Sequence, residues 1–537
     1  MVQPSPDVTS KGRFSLRRPP DVVWTTYVLA AVVGVITIGL LGPGPRVGDG
    51  YDYYVMLFSW AENLTPYATD RVGEIYEAYV KTRPDAETFP KYWPGWPPCE
   101  GAEVELNHFW LYSLLAAVFY WPLKILGLDV GLSYNVLHVV LLFLAAHILN
   151  KRLGPAAALS LVLLVLFSPL LWSINKAHGE FYTVMTTTVG MGYFLVGQHV
   201  RCAIWMALAA TLNPSLAAVT LLAVGFGFIE QRGRLFAENK LRLALLAGIL
   251  VLHPAYYLVR LGAPTPLLSG GGAMRIAPDL LPLRHMTAFW VDPDVGLLAN
   301  WPLALPMLVL FLVLACRGAV RLPRKVLAFL GLSILALCWT FTLVSTGFGG
   351  FGGTVGVSRY AIWLLFAFFP LQWQLLIWLL GRRRALFYPV ATAALALGLW
   401  TTWLYRPGLP ETCRRPTAVS RLLYAHLPGL YDPMPVVFYN CYGGRTRFND
   451  DETLTWTSWA VSDPSGNKIL VWREAMQGED PQQPLSVVGC PTLDSAAVYR
   501  AAAGRFSPQP RRQYVYLNGV DWTVAKDATL RPNPNRS

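Results

Sequence analysis

Long apolar runs recur between residues 22 and 404, and they constrain the fold more than any other feature of the chain. Several approach the ~20 apolar residues that a helix needs to cross a bilayer. Only 14% of the 537 residues are charged, whereas a soluble protein carries about 25%. The composition therefore excludes a soluble multi-domain enzyme, a disordered chain and a fibrous chain. It predicts a polytopic α-helical membrane protein.

Basic residues predict how the apolar segments are oriented. They cluster before the first segment and in short connectors, at 11–18, 151–152, 201, 232–242, 317–325 and 382–384. The positive-inside rule places all of these in the cytoplasm. The net charge of +12 is therefore chiefly a membrane-insertion signal, and it gives little reason to expect a nucleic-acid partner.

Two topologies fit these charges. The segment 107–127 is best interpreted as an interfacial or re-entrant helix, and 201–229 as two half-spans that turn at Asn213-Pro214. In the rival topology 107–127 crosses the membrane and 201–229 is a single span. Both predict about eleven crossings, with the N-terminus inside and the C-terminus outside, and they differ in the orientation of residues 131–200. The other predicted spans are 22–41, 131–149, 155–173, 181–199, 241–259, 297–315, 326–345, 359–380 and 385–404.

These segments divide the chain into three parts. A cytoplasmic tail covers residues 1–21, and the transmembrane domain covers residues 22–404, with external loops at 43–106 and 260–296. Residues 405–537 are less apolar, and strand-like runs alternate there with Gly, Pro and Asp turns. We expect a C-terminal extracytoplasmic domain that is β-rich or α+β. Its strand-like runs are 436–439, 469–472, 485–488 and 514–517.

Four of the seven cysteines fall in the predicted external segments, where disulfides persist. The preferred pairing is Cys441 with Cys490, which leaves Cys99 to pair with Cys413. Four cysteines allow three connectivities, so this pairing is a hypothesis.

The first external loop is acidic although the protein is basic. It begins with VGDGYDYY directly after the first span, so Asp49 and Asp52 are expected at the membrane–water boundary. In a helix that begins near Asp49, the two carboxylates share one face and could act as general base and as a metal or hydroxyl ligand. Alternatively, Asp49 only caps that helix. The adjacent Tyr53 and Tyr54 are candidate substrate contacts.

Two other external segments offer substrate contacts. Trp93 and Trp96, in KYWPGWPPCEG, could stack on a sugar ring or form part of an interfacial aromatic belt. His178 and Glu180, in NKAHGE, face the same external side in the preferred topology.

The later external loops carry basic groups suited to a phosphate or diphosphate. Alternatively, these basic side chains could bind anionic lipid head groups. The sequence Asp292-Pro293-Asp294 resembles a DxD metal pair, so a divalent ion, Mg or Mn, could bind there. The candidate phosphate ligands are Arg275, Arg284, His285 and Arg359, the last at the end of a glycine-rich connector.

The layout resembles the GT-C superfamily of membrane glycosyltransferases. The resemblance rests on an inside N-terminus, many spans, VGDGYDYY after the first span, and DPDVGLLANWP in the second loop. The family's acidic motif is a contiguous pair, whereas two residues separate Asp49 from Asp52, so which acid is catalytic stays open.

The resemblance implies an inverting glycosyltransferase that uses a polyprenyl-phosphate sugar as donor. Asp49 or Asp52 would be the general base, and Arg275, His285 or Arg359 would neutralise the leaving phosphate. The acceptor would be a glycan, a lipid or a protein, at the outer face of the cytoplasmic membrane. The alternatives are a lipid-linked sugar flippase or transporter, which the near absence of charge in the spans disfavours, and a non-catalytic membrane scaffold.

Overall fold

The computed structural model describes fifteen stretches of the chain, and it divides the chain into two compact units. Unit 1 comprises Met1–Ala273, Pro302–Leu337 and Trp363–Leu409, and unit 2 comprises Met274–Trp301, Cys338–Ile362 and Pro410–Ser537. The described residues are 20–44, 49–84, 86, 105–106, 108–231, 234–266, 283–344, 356–381, 384–409, 417–430, 433, 459–462, 468–474, 486–488 and 512–518.

Helices account for most of the described chain. They are α1 (Pro20–Gly39), α2 (Asp49–Phe58), α3 (Asp70–Lys81), α4 (Leu111–Ala117), α5 (Tyr120–Ile125), α6 (Ser133–Leu153), α7 (Pro155–Leu166), α8 (Glu180–Leu195), α9 (His199–Leu212), α10 (Ala217–Gln231), α11 (Arg234–Glu238), α12 (Lys240–Leu261), α13 (Leu283–Val291), α14 (Leu297–Asn300), α15 (Ala304–Cys316), α16 (Arg324–Val344), α17 (Arg359–Ile362), α18 (Phe368–Leu380), α19 (Arg384–Leu404) and α20 (Ala418–His426).

Six helical segments in the described residues are long and apolar enough to cross a membrane, and four shorter apolar helices accompany them. This confirms a helical protein with membrane-length apolar segments, while the number of crossings stays a prediction. The six are Val22–Gly39, Val130–Leu153, Pro214–Gln231, Lys240–Leu261, Arg359–Leu380 and Phe387–Leu404. The shorter ones are Leu111–Ile125, Pro155–Leu166, His199–Leu212 and Ala304–Cys316.

The segment 107–127 is not one continuous helix. It contains two short helices, α4 and α5, which the chain joins through Val118 and Phe119. Trp121 and Ile125 are exposed, and the Lys124 ammonium lies 2.7 Å from a Glu62 carboxylate oxygen. The segment is thus interrupted, and its interfacial interpretation stays a prediction.

Glu62 fixes α5 against the first loop. Its partial burial alone would raise the pKa of this carboxyl, but the hydrogen bonds from Lys124 and Tyr120 outweigh that effect and lower the pKa. Glu62 is therefore held ionised at neutral pH, between a cation and a phenol.

The chain reverses between α9 and α10. Nε2 of His199, at the start of α9, lies 2.8 Å from a carboxylate oxygen of Glu230, near the end of α10. The turn contains Asn213 and Pro214, whose missing N–H suits the start of a new helical segment. The side-chain amide of Asn213 donates to the Thr183 hydroxyl at 2.8 Å. The predicted turn at Asn213-Pro214 is thus observed.

Helix α6 packs antiparallel to α1, which lies earlier in the chain, and to α7, which follows it directly. The Asn135 amide donates to the Thr37 carbonyl near the end of α1 at 2.8 Å, and the Tyr27 hydroxyl lies 3.5 Å from the His147 ring. Gly154 alone separates α6 from α7, with a φ of 92°. Because L-residues with side chains rarely adopt that conformation, glycine permits this immediate reversal.

Several basic connectors meet at one end of the unit 1 helices. The guanidinium groups of Arg152 and Arg201 both lie over the Tyr193 ring, 5.4 and 5.8 Å from its centroid. Lys325, at the start of α16, lies 2.9 Å from Glu230. We call the helix ends that carry Arg152, Arg201 and Lys325 the basic end.

A four-stranded sheet lies in the C-terminal part of unit 2. Its strands are β1 (Trp459–Ser462), β2 (Lys468–Glu474), β3 (Ser486–Val488) and β4 (Arg512–Asn518), in the order β3-β1-β2-β4. β2 pairs antiparallel with β1 and β4, and β1 pairs parallel with β3.

Three of the runs with strand-like sequence coincide with strands. The runs 469–472 and 514–517 lie inside β2 and β4, and 485–488 overlaps β3. The run 436–439 lies outside the described residues, and a folded extracytoplasmic domain stays a prediction.

We expect a Cβ at position 227 to disrupt the α9–α10 packing. It would lie 2.8 Å from the His199 Cβ and 3.1 Å from a Leu235 methyl, whereas a Cβ at Gly225 on the same helix meets nothing within 4 Å. Gly227→Ala should therefore lower the free energy of unfolding by about 1–3 kcal/mol, measured as a lower thermal midpoint in detergent. Gly225→Ala is the matched control, and equal midpoints would refute the packing argument.

Candidate functional site

The acidic motif after α1 places one carboxylate in a buried contact. Helix α2 begins at Asp49, as the motif predicts, although the Asp49 side chain lies outside the described residues. Asp52, one turn later, is buried, and its Oδ2 lies 3.0 Å from Nδ1 of His108. His108 precedes α4. A buried carboxylate beside an imidazole is a pair that can accept a proton.

The Tyr53 ring packs against both histidines of the candidate site. Its centroid lies 4.7 Å from the His108 ring and 5.5 Å from the His178 ring. The Tyr53 backbone carbonyl accepts a 2.5 Å hydrogen bond from the Tyr134 hydroxyl and a 3.4 Å one from the Ser113 hydroxyl. Side chains from α4 and α6 thus lock this turn of α2 in place.

The NKAHGE turn supplies a second carboxylate–imidazole pair. Nδ1 of His178 contacts the Glu180 carboxylate, and both side chains are buried. The Tyr112 hydroxyl lies 3.1 Å from the His178 carbonyl oxygen and 2.7 Å from Nε2 of His138. The predicted residues His178 and Glu180 therefore lie beside Tyr53, in a network of buried polar groups.

Lys176 anchors the same turn from within. It is 1% exposed, and its ammonium donates to the carbonyl oxygens of Trp172 and Pro407 at 3.0 and 2.5 Å. The ammonium also lies 4.3 Å from the Trp172 ring centroid. A buried ammonium is tolerated because carbonyl acceptors and a π face replace its hydration.

Glu105 anchors the chain just before His108. Its carboxylate accepts hydrogen bonds from the Tyr256 hydroxyl at 2.9 Å and from Arg260 Nε at 2.6 Å. The Arg260 guanidinium lies 4.6 Å from the Tyr67 ring centroid. The C-terminal part of α12 thereby positions the backbone segment that leads to His108.

The candidate site thus combines predicted and unpredicted residues. Asp52, Tyr53, His178 and Glu180 come together in unit 1, and Tyr54 is fully buried on α2 with its ring 5.5 Å from Tyr134. Trp93 and Trp96 lie outside the described residues.

His108, Glu105 and Arg260 were not singled out in the sequence. The available signal for His108 was a lone histidine after an acidic loop, at the start of an apolar segment. Only the fold shows which carboxylate that histidine meets.

Of the four predicted phosphate ligands, the structure describes one side chain, that of Arg359. Arg275 is outside the described residues, and Arg284 and His285 lie on α13 with undescribed side chains. Arg359 begins α17, with its guanidinium 5.1 Å from the Tyr360 ring centroid. Their role in phosphate binding stays a prediction.

The carboxylates of Asp292 and Asp294 accept hydrogen bonds from backbone N–H groups. Oδ1 of Asp292 accepts the N–H groups of Asp294 and Val295 at 2.8 and 3.0 Å. Oδ1 of Asp294 accepts the Thr417 N–H at 2.8 Å, directly before α20. Within the described ranges no group of three or more His, Cys, Asp and Glu side chains could hold a metal ion. Metal binding by this pair therefore stays a prediction without geometric support.

The cysteines that the sequence suggested as disulfides, Cys99, Cys413, Cys441 and Cys490, all lie outside the described residues. The cysteines inside them, Cys202, Cys316 and Cys338, are free thiols.

Comparison with known proteins assigns no family to the chain. No protein-family model matches it, no curated protein matches it, and no solved structure matches it.

We expect the charge of Asp294 to destabilise the folded protein at neutral pH. Burial raises the pKa of this carboxyl, against opposing hydrogen bonds from Ser420 and Thr417. A pKa that is higher in the folded protein gives stability that is fully present below the unfolded pKa. That stability is lost as the pH rises through the folded pKa. Asp294→Asn keeps an acceptor and cannot ionise. Its thermal midpoint, relative to that of the wild type, should therefore rise as the pH increases from about 4, the unfolded pKa of Asp, to neutral pH.

Asp294→Ala is the matched comparison. It leaves the half-buried Thr417 N–H without its acceptor and should lower the free energy of unfolding by about 1 kcal/mol. Equal losses in the Asn and Ala variants at pH 8 would contradict this role of Asp294.

Proposed function

We propose that the protein is an inverting glycosyltransferase of the GT-C type. It moves a sugar from a polyprenyl-phosphate donor to an acceptor hydroxyl at the outer face of the cytoplasmic membrane. The observation that carries the proposal is the 3.0 Å contact between Asp52 and His108, in the first loop after an apolar helix. This carboxylate–imidazole pair lies among aromatic rings, which suits a reaction on a sugar attached to a lipid.

The chemistry requires a base and stabilisation of the leaving group. The Asp52–His108 pair would take the proton of the acceptor hydroxyl as its oxygen attacks the anomeric carbon. The bond from that carbon to the phosphate oxygen breaks with inversion, and polyprenyl phosphate leaves as an anion. Since this anion is stable, the site needs to supply positive charge to it rather than a proton.

The proposal places the candidate site outside the membrane. About eleven crossings would be formed by α1, α6, α7, α8, α9, α10, α12, α15, α16, α18 and α19. Because Arg152, Arg201 and Lys325 meet at one end of unit 1, the positive-inside rule assigns that end to the cytoplasm. The antiparallel pairing of α1 with α6 supports an inside N-terminus and an interfacial α4–α5 segment.

Replacing the buried acid should abolish sugar transfer. We expect Asp52→Asn to lower the rate by about 100-fold or more, since a positioned base contributes that much. The assay measures release of farnesyl phosphate from a panel of farnesyl-phosphate sugars, with octyl glycosides as acceptors. The control is Asp70→Asn, an exposed acid of the same loop. Full transfer by Asp52→Asn, or no release by the wild type with any sugar of the panel, would refute the proposal.

Impermeant maleimide labelling checks the orientation. We expect Leu128→Cys to react in intact cells and Lys151→Cys to react only after permeabilisation, since α6 would carry the chain inward between them. Mass spectrometry of the labelled peptide separates each introduced cysteine from the native ones. Labelling of Lys151→Cys in intact cells would instead support the rival topology.

A further inference from the structure

We propose that His108 is the catalytic base and that Asp52 is its positioning residue. This inference rests on the proposed function and names the atom that takes the acceptor proton, which is Nε2 of His108. The sequence offers Asp49 or Asp52 as the base, so the inference moves that role to a residue that only the fold reveals.

The geometry of the pair separates the two roles. Nδ1 of His108 faces Oδ2 of Asp52 at 3.0 Å, and the two side chains are 20% and 9% exposed. The imidazole is therefore the more accessible member, and its Nε2 lies on the side of the ring away from the carboxylate. A carboxylate that accepts Nδ1–H fixes the tautomer in which Nε2 carries a lone pair. It also stabilises the imidazolium that forms when Nε2 accepts a proton.

The surrounding contacts fix the imidazole rather than the carboxylate alone. The Tyr53 ring packs 4.7 Å from the His108 ring. Three residues before His108, the Glu105 carboxylate accepts hydrogen bonds from Tyr256 and Arg260. The Leu106 carbonyl accepts the Tyr257 hydroxyl at 3.3 Å. The Tyr53 contact and the anchored backbone before His108 restrict the rotation of the imidazole, which a general base requires for a reproducible angle of approach.

The other carboxylate–imidazole pairs of the described chain are less suited to the role. In the His178–Glu180 pair the side chains are 4% and 2% exposed, so both are less exposed than the His108 imidazole. In the His199–Glu230 pair the imidazole is 0% exposed and lies at the basic end. The pair at Asp52 is the one that joins a buried orienting acid to a partly exposed imidazole.

The proton transfer balances without another reactant. The acceptor O–H proton goes to Nε2 of His108 as the acceptor oxygen forms its bond to the anomeric carbon. The bonding pair between that carbon and the phosphate oxygen leaves with polyprenyl phosphate. The imidazolium, paired with the Asp52 carboxylate, then releases its proton to water.

Two substitutions at position 108 distinguish a catalytic base from a residue that only positions Asp52. In His108→Asn the side-chain amide N–H₂ stands near the place of Nδ1, so it can still donate to Asp52 but cannot accept a proton. In His108→Ala both groups are removed and space is left for added imidazole. Rates are measured with the farnesyl-phosphate sugar that the wild type uses, with octyl glycosides as acceptors. His147→Gln, an exposed histidine on α6, is the control.

We expect both variants to lose about 100-fold or more in kcat, with KM for the acceptor within about 2-fold of the wild-type value, since a lost base affects the transition state. Added imidazole should restore part of the rate of His108→Ala, which also shows that this variant is folded. Asp52→Asn should lower kcat as well, without response to imidazole.

Three outcomes distinguish the assignments. If His108→Asn keeps at least half of the wild-type rate while Asp52→Asn is inactive, Asp52 is the base, and the inference falls while the glycosyltransferase stands. Absence of imidazole rescue in His108→Ala also overturns the inference. Unchanged transfer in both Asp52→Asn and His108→Asn overturns the proposed function itself.

Discussion

Inside a bilayer the backbone must satisfy its own hydrogen bonds, because no water is available there to do so. That constraint explains why membrane-length apolar helices recur through unit 1. It also explains why the candidate site lies where the chain leaves regular helix, at the start of α2, before α4 and in the turn before α8. In those places side chains of Tyr112, Tyr134 and Lys176 satisfy backbone carbonyls.

The candidate site depends on this same polar network. The buried Tyr134 and Tyr112 hydroxyls donate to the Tyr53 and His178 carbonyls. The Tyr53 and His178 rings therefore have little rotational freedom. A network whose members are satisfied rigidifies its surroundings. Asp52 and His108 are placed by that rigidity, which is what a proton-transfer pair needs, since a displacement of 1 Å at a reacting group reduces the rate severely.

Some features of the fold and of the candidate site were predictable because their signals are local. Asp52 belongs to a short acidic motif that follows an apolar segment. The turn at Asn213-Pro214 is marked by a proline, which has no backbone N–H. The pairing of Asp52 with His108 was not predictable. These residues are 56 positions apart, and periodicity carries no information on which side chains meet at that separation.

The sequence by itself determined the class of protein, since the length and apolarity of a segment decide whether it can reside in a bilayer. The distribution of Arg and Lys also predicts which side of the membrane is cytoplasmic. The tertiary structure decided which carboxylate lies against an imidazole, and it paired the Asp294 carboxylate with the distant Thr417 N–H. The physical reason is that solvation free energy is a property of each segment, whereas a hydrogen bond between distant residues depends on how the helices pack.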